Sequence, residues 1–273
     1  MSPPDQFLMS FDTALDPAIP VVVGWRGAGK SFWSGVLGQA ATREAAAIAY
    51  PRLGLKDLDV AFGFTGGVGG PEGVSYEALS QLLPPNVGID HAKAFWWATI
   101  LRAAARTGGE NARLSELVPV ALDWENREEV IARHEQRLSG KRKVLLVVYD
   151  ALDTVATNWP RRRLLTEALL EVVWAMRAYR AIKLKLFLRP DQIDDDALRF
   201  VELPKLRTGA VRPAWTGTDL YGLLYARLAL TPEVEAAAAF ASLLGLLNIA
   251  KPTGTRSCPA AGRLLTAPTI KLA

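Results

Sequence analysis

The stretch Gly24-Trp25-Arg26-Gly27-Ala28-Gly29-Lys30-Ser31 matches the phosphate-binding pattern G-x-x-x-x-G-K-[ST] at every fixed position. The β-branched run at residues 19–23 predicts a buried parallel strand before it, and residues 31–41 have the composition of a helix. Glycines let the backbone wrap closely around a phosphate, and the N–H groups from Gly27 to Ser31 would point at it from the helix start. This order of strand, glycine loop and helix predicts a nucleotide site rather than a chance glycine turn before an ordinary helix.

Each residue type in the loop suits a nucleotide that binds together with a magnesium ion. Lys30 would reach the β- and γ-phosphates, and the Ser31 hydroxyl would ligate Mg²⁺. The residues predicted to contact the nucleotide are Gly24, Gly27, Ala28, Gly29, Lys30, Ser31 and Phe32.

A second stretch with candidate functional residues lies at residues 143–153, where an aliphatic segment is followed by an aspartate. A central parallel strand is buried on both faces, and open α/β sheets bind ligands at the carboxyl ends of their strands. Asp150 is therefore the candidate that holds Mg²⁺ opposite Ser31, and Asp153 is placed to orient or deprotonate an attacking water. The alternative is a strand that simply ends in an aspartate turn.

A further buried strand is predicted at residues 182–188, and it ends in Arg189. Right-handed winding would bring its polar end beside the strand of Asp150. Arg189 would then be placed to sense the γ-phosphate. A structural ion pair of Arg189 with Asp191 or Asp194 is the alternative.

Composition excludes several classes of protein. Half of the 273 residues are apolar, which is ample for a large buried core. With one cysteine, Cys258, and two histidines, a disulfide framework and an ordinary zinc site are excluded, and a reducing cytoplasmic setting is expected. The N-terminus does not have the pattern of a signal peptide, and the most lipid-like stretch, residues 236–250, is too short to span a membrane, so a buried helix is predicted there.

The net charge of +4 is mildly basic, but only residues 141–143 and 161–163 form basic runs. Both runs border predicted elements, so solvated strand or helix ends are favoured over a nucleic-acid patch. The aromatic triplet at residues 95–97 lies on a predicted helix and is interpreted as core or interface rather than as a base-stacking platform.

The rest of the chain is organised around a core predicted at residues 1–212. Residues 47–50 are predicted as a second strand that Pro51 ends, and residues 200–203 as a last short strand. The other predicted regions are a mostly helical insertion at about 60–140, a glycine-rich surface loop at 62–71, an extended link at 206–215, a helical lid at 213–250 and an irregular tail at 251–273. The loop at 62–71 has no Lys-Ser/Thr after it, so a lid or partner contact is preferred to a second phosphate cradle.

The motifs GWRGAGKS (24–31), LLVVYDALD (145–153) and LKLFLRPDQ (184–192), followed by DLYGLLYARL (219–228), resemble those of STAND and KAP-like signalling ATPases, which are relatives of AAA+ proteins. The resemblance covers roughly residues 19–230. It implies a three-layer α/β P-loop NTPase core with an extra strand between the P-loop strand and the Walker-B strand. It also implies ATP and Mg²⁺ as ligands, and a role as a nucleotide-driven switch or oligomerising motor, commonly in bacterial regulatory and antiviral systems.

On this resemblance, Lys30 and Ser31 bind phosphates and Mg²⁺, Asp150 is the Walker-B acid, and Arg189 matches the arginine that ends the sensor strand. The chain departs from the family because many relatives place an acid directly after the Walker-B aspartate, where this chain has Ala151. Water activation would then fall to Asp153 or to a residue from elsewhere, and hydrolysis would be slow. The C-terminal part is also short for a winged-helix or sensor domain, which suggests a separate output protein.

The expected function is therefore a slowly hydrolysing ATPase switch that forms a homo-oligomer or acts with a separate effector protein, with no membrane partner. Two alternatives stay open. One is a small-molecule kinase that uses Asp57 or Asp90 as a base, and the other is a non-hydrolysing subunit that keeps ATP as a structural ligand.

Overall fold

The computed structural model describes residues 13–66 and 73–213, together with residues 215, 217 and 221. The chain divides into two compact units, residues 1–215 and 216–273, and the fold described below belongs to the first. The predicted lid at 213–250, apart from residues 213, 215, 217 and 221, and the predicted tail at 251–273 lie outside the described residues. So do residues 67–71 of the predicted glycine-rich loop, and residue 72 after it.

Four parallel strands form one sheet in the order β1-β4-β3-β2, so β4 lies between β1 and β3. Val22 of β1 pairs with Phe187 of β4, and on the other side of β1 it forms a parallel bridge with Val211. This arrangement confirms the predicted α/β class with a parallel sheet. The strands are β1 (Val21–Val23), β2 (Leu58–Phe64), β3 (Val144–Tyr149) and β4 (Ile182–Leu188).

The helices lie between and after these strands. The longer ones are α1 (Lys30–Gly38), α2 (Ala40–Ala49), α4 (Ile89–Thr107), α5 (Leu114–Leu122), α6 (Trp124–Gly140) and α7 (Trp159–Met176). The shorter ones are α3 (Tyr76–Leu82), α8 (Pro190–Ile193) and α9 (Leu203–Thr208), and 3₁₀ turns occupy Pro51–Leu53, Leu55–Asp57 and Leu152–Thr154.

Helices cover both faces of the sheet. Successive side chains of a strand point to opposite faces, so Leu146 and Val148 of β3 pack on one side with Leu37 of α1 and Ala47 of α2. Leu145 and Val147 pack on the other side against the layer that contains α4 and α7. This burial on both faces explains why β3 reads as a continuous aliphatic run.

The aromatic triplet at residues 95–97 is buried in the helical layer, which confirms its interpretation as core. The indole N–H of Trp96 donates to the backbone carbonyl of Leu165 in α7 over 2.9 Å. The Trp96 ring makes edge contacts with Tyr149 of β3 and Phe64 of β2, with ring centres 5.7 and 6.3 Å apart. Trp96 therefore joins two strands and two helices.

The strand predicted at residues 47–50 is wrong, because residues 47–49 lie in the last turn of α2. The alanine-rich composition of residues 40–49 explains the helix, since alanine has the highest helix propensity. The second strand is β2, so the prediction of a loop from residue 62 is wrong for residues 62–64. The helices of the region predicted as an insertion start at residue 76 rather than at 60.

A glycine inside β2 explains why this strand was not predicted from the sequence. A β-carbon at Gly63 would collide with the ring of Tyr149 on the neighbouring strand β3. Glycine at this position therefore marks close packing between strands, not a loop.

The strand predicted at residues 200–203 is also wrong. Val201 is exposed in a turn, and Leu203 begins α9, which buries Leu203 and Leu206 on one helical face. The link predicted as extended from residue 206 is likewise helical as far as Thr208. It is Val211 that continues the sheet beside β1.

Lys185 of β4 is a fully buried lysine. It lies on the sheet face that carries Phe187, and its ammonium group donates to the backbone carbonyls of Asp16 and Ile19 over 2.7 and 2.8 Å. Burial lowers the pKa of Lys185 to about 7, and the charge of Asp16 acts in the opposite direction. The carbonyl contacts tie the segment before β1 to the centre of the sheet.

Lys185 should make the stability of the fold depend on pH. The pKa of Lys185 is lower in the folded than in the unfolded chain, so the unfolded chain binds more protons between about pH 7 and pH 10. The free-energy cost of burying the charged Lys185 side chain is fully present below about pH 7. It disappears as pH rises towards the pKa that Lys185 has in the unfolded chain. In urea unfolding, the wild type should gain up to about 1.4 kcal/mol per pH unit relative to Lys185→Met. Lys56→Met changes an exposed lysine and is the control. Its free energy of unfolding should change with pH as that of the wild type does. The same pH dependence in all three proteins would contradict the prediction.

Candidate functional site

The carboxyl ends of β1, β3 and β4 border a cleft of about 350 Å³. The loop after β1, the acidic turn after β3 and the start of α8 after β4 all contribute to its walls. It therefore gathers side chains from three separate parts of the sequence. The predicted site residues that line it are Gly27, Gly29, Lys30, Ser31, Phe32, Asp150, Asp153 and Arg189.

The glycines of the loop between β1 and α1 meet two different steric demands. Gly29 has a φ of +83° directly before the first residue of α1, a conformation that side chains other than glycine rarely adopt. A β-carbon at Gly24 would lie 2.9 Å from that of Ala28, so the loop closes tightly across itself. Glycine at position 29 is therefore favoured by the backbone conformation, and glycine at position 24 by the close approach of Ala28.

Lys30 is folded back across this loop. Its ammonium group donates to the carbonyls of Gly24 and Trp25 over 2.7 and 3.0 Å. An ammonium group has three N–H donors, so it can keep these contacts while it binds an anion. Partial burial lowers the pKa of Lys30, whereas the charges of Asp150 and Asp153 act to raise it.

Asp150 follows β3 directly and has only 8% of its surface exposed. Its carboxylate accepts the N–H of Ala151 over 2.7 Å, and its own N–H donates to the carbonyl of Phe64 in β2 over 2.9 Å. These two bonds hold Asp150 at the end of the strand, where it lines the same cleft as Ser31.

Ala151, which directly follows Asp150, has a φ of +55°. A β-carbon added to Gly66 would lie 2.8 Å from that of Ala151 and would collide with the Thr154 hydroxyl. The backbone of Gly66 therefore packs closely beside the methyl group of Ala151. This packing gives a steric reason for glycine at position 66.

Arg189 forms ion pairs with two acids. Its Nε lies 2.9 Å from Asp191, and its terminal nitrogen lies 3.6 Å from Asp153. Of the two structural partners that the sequence suggested, Asp191 pairs with Arg189, whereas Asp194 pairs with Arg212 over 2.9 Å. In this structure Arg189 thus bridges the acidic turn after β3 and the start of α8.

Gln192 in the cleft and Trp215 beside the loop were not among the candidates that the sequence indicated. Gln192, which also lines the cleft, is buried, and its side chain accepts the N–H of Arg189 over 3.0 Å. The available signal was Pro190 with glutamine two residues later, since proline at the first helical position and glutamine at the third are typical of a helix start. Trp215 donates its indole N–H to the carbonyl of Ala28 over 3.2 Å, and nothing local in the sequence indicated this long-range contact.

The kinase alternative gains no support from the positions of its proposed bases. Asp57 immediately precedes β2 and so lies at the amino edge of the parallel sheet, opposite the cleft. Asp90 lies 3.2 Å from Lys93 and borders a separate cavity between the helices α4 to α7. Neither aspartate lines the cleft that holds Lys30.

Arginines of the basic run at residues 161–163 form hydrogen bonds and an ion pair within the protein. Arg161 donates to the carbonyl of Pro84 over 2.8 Å, and Arg163 pairs with Asp195 over 2.7 Å. These contacts support the interpretation of the run as a helix end over that of a nucleic-acid patch.

The chain matches no protein-family model, no curated protein and no solved structure. Within residues 13–66 and 73–213, no helix has the length and apolarity needed to cross a bilayer. The same part of the chain contains no cluster of three or more histidine, cysteine, aspartate or glutamate side chains suited to a metal ion. A magnesium site made of one serine, one aspartate and phosphate oxygens does not require such a cluster.

Proposed function

We propose that the chain binds ATP and Mg²⁺ in the cleft and acts as a slow ATPase switch whose nucleotide state controls its assembly. The observation that carries the proposal is the placement of the loop 24–31 and the buried Asp150 on two walls of one cleft. Two sequence patterns more than a hundred residues apart thus meet where an α/β sheet binds ligands.

The order of strands supports the same proposal. One strand, β4, separates β1 from β3. This order is what the resemblance to STAND and KAP-like ATPases implies, with an extra strand between the P-loop strand and the Walker-B strand. The regulatory or antiviral role and the separate effector protein rest on that resemblance.

The residues of the cleft fit ATP and magnesium. The loop leaves open backbone for phosphate groups, Lys30 supplies a positive charge, and Ser31 and Asp150 supply the oxygen ligands that Mg²⁺ prefers. When bound, Mg²⁺ would neutralise phosphate charge as the terminal phosphoryl group is transferred to water.

Slow turnover is expected from the few acidic residues near the cleft that could activate a water molecule. Asp150 is assigned to the metal, position 151 carries an alanine, and the Asp153 carboxylate lies beside the Arg189 guanidinium. The Arg189 guanidinium therefore competes with an attacking water for the Asp153 carboxylate. The same observations favour a second candidate function, a subunit that keeps ATP bound without hydrolysing it.

Magnesium-dependent ATP binding tests the proposed site. Mg²⁺ should raise the affinity of the wild type for ATP, and Asp150→Asn should reduce that gain about 10- to 100-fold, because a charged ligand oxygen is lost. Isothermal titration with and without Mg²⁺ measures both effects. Asp57→Asn changes the same residue type at the opposite edge of the sheet and should behave like the wild type. A wild type that binds no ATP would overturn the proposal.

Turnover and assembly distinguish the candidate functions. Single-turnover hydrolysis by the wild type, reduced by Asp153→Asn, together with a change in mass on addition of ATP and Mg²⁺, would support the switch. Binding without any turnover would favour the scaffold subunit. Phosphate transfer to an added small acceptor would favour the kinase.

A further inference from the structure

We propose that the amino edge of the sheet is a binding surface for the sugar–phosphate backbone of a nucleic acid. This surface, called the basic edge below, consists of Arg142, Arg177, Arg180 and Lys183. It is separate from the nucleotide cleft, because parallel strands place their amino and carboxyl ends at opposite edges of a sheet. The inference therefore goes beyond the proposed function and does not depend on it.

The fold brings together cations that are distant in the sequence. Arg142 lies two positions before the first residue of β3, and Arg180 lies two positions before the first residue of β4. These strands are neighbours, and with Lys183 the two arginines line one hollow of about 360 Å³. Arg177 lines a second hollow, which shares Lys183 with the first. The sequence showed only the run at residues 141–143, and the structure adds three cations from a second segment.

Two of these cations are positioned by uncharged groups. The ammonium group of Lys183 donates to the backbone carbonyl of Tyr179 over 2.7 Å. The guanidinium group of Arg177 lies over the ring of Trp174, 4.4 Å from its centre. These contacts hold the side chains in place without cancelling their positive charge.

Acids neutralise the basic edge only in part. Lys143, next to Arg142, lies 3.9 Å from Asp59, whereas within the described residues none of the four basic-edge cations forms an ion pair. The acids that line the two hollows are Asp16 and Asp57, so four cations face two carboxylates. The basic edge therefore keeps a net positive charge that an anionic ligand can neutralise.

The backbone of Arg142 supports a role for its side chain beyond the local turn. Arg142 follows the end of α6 and has a φ of +54°, a left-handed conformation that favours glycine. An arginine here strains the backbone, and strain of this kind is often found at functional sites. A charge that serves a ligand gives this strain a physical reason.

The composition of the basic edge favours a nucleic acid over other polyanions. Membrane surfaces are bound by helices whose apolar side chains enter the lipid, and protein partners are bound mainly through buried aromatic or apolar anchors. Among the described residues, no exposed large apolar side chain lines either hollow. Adjacent strands lie about 4.8 Å apart, so the cations at their starts form a row, and phosphate contacts need only such positive groups.

The test measures binding by fluorescence anisotropy with a labelled 20-nucleotide single-stranded DNA, its duplex and an RNA of the same sequence. Each neutralised phosphate contributes about 0.7–0.9 to the slope of log affinity against log salt, so four cations predict a slope of about −3 to −4. Arg142→Gly/Arg180→Gln should reduce the size of that slope by about 2 and weaken binding about tenfold or more in 50 mM salt. Comparison of the three ligands shows which form of nucleic acid supplies the backbone.

Two further measurements separate loss of contact from loss of fold. Glycine at position 142 relieves the left-handed conformation, so Arg142→Gly should melt no lower than the wild type while it binds more weakly. Arg180→Gln changes an exposed side chain and should by itself reduce the slope by about 1. The control is Arg133→Gln/Arg199→Gln, which lowers the net charge equally at exposed arginines outside both hollows and should bind like the wild type.

Four results would overturn the inference. They are a wild type that binds none of the three nucleic acids in 50 mM salt, an equal loss in the control variant, tighter binding to vesicles of anionic lipid, and competition by polyglutamate as effective per charge as that by DNA. ATP binding is judged separately. A wild type that binds nucleic acid but no ATP would uphold this inference and overturn the proposed function.

Discussion

Lys30→Ala is expected to lower the affinity of the chain for ATP and Mg²⁺ by about 10- to 100-fold or more. The Lys30 ammonium is held across the loop by the carbonyls of Gly24 and Trp25, which positions its charge at the place proposed for the phosphates. A hydrogen bond to a charged group contributes about 1.5–3 kcal/mol, which corresponds to this range of affinity. Titration with a fluorescent ATP analogue measures the loss.

The variant that controls for this substitution is Lys56→Ala. Lys56 is exposed in the 3₁₀ turn before β2, at the amino edge of the sheet, so its removal changes the net charge equally without touching the cleft. Its affinity should remain that of the wild type. Equal losses in the two variants would indicate a non-specific effect of charge, and full affinity in Lys30→Ala would contradict the proposed site.

Trp96→Ala is expected to destabilise the fold by about 3–5 kcal/mol, the range typical for removal of a buried large aromatic side chain. The Trp96 ring is fully buried, contacts Tyr149 and Phe64, and is anchored to Leu165 by a hydrogen bond. Its removal would leave a cavity between the sheet and two helices. Urea unfolding followed by circular dichroism measures the change in the free energy of unfolding.

Two further variants separate the contributions of ring volume and hydrogen bond. Trp96→Phe keeps an aromatic ring but loses the indole N–H, so its loss should be smaller than that of Trp96→Ala. Trp124→Ala removes a tryptophan that is 64% exposed and should change stability by no more than about 0.5 kcal/mol. Losses of equal size for Trp96→Ala and Trp124→Ala would contradict the central role of Trp96 in the core.

The elements that the sequence predicted correctly are those whose signals are local. The aliphatic strands β3 and β4 are buried on both faces, so most residues in them are apolar, and the predicted helix that carries residues 95–97, α4, has an apolar face at helical spacing. Lys183 and Lys185 are the exceptions in β4, and of the two it is Lys185 that is fully buried. Its burial depends on two carbonyls from the segment before β1, which no local pattern indicates.

The strand β2 could not be predicted because its signals were mixed. It lies at the edge of the four-stranded sheet and is only partly buried, so its apolar pattern is weak. Gly63 reads as a loop residue, although its lack of a side chain serves the close approach of Tyr149. Because β2 was interpreted in part as a loop, the second strand was predicted at residues 47–50 instead. That apolar run is rich in alanine and lies at the end of a helix.

The sequence by itself determined the phosphate-binding pattern at residues 24–31, the acid that ends β3 and the parallel α/β class, because each is set by residues adjacent in the chain. Only the tertiary structure decided that β4 lies between β1 and β3, that Arg189 pairs with Asp191 and Asp153, and that Gln192 lines the same cleft. These features arise where the ends of three strands converge. Strand order and contacts across the sheet depend on how distant segments pack, and a sequence pattern carries that information only indirectly.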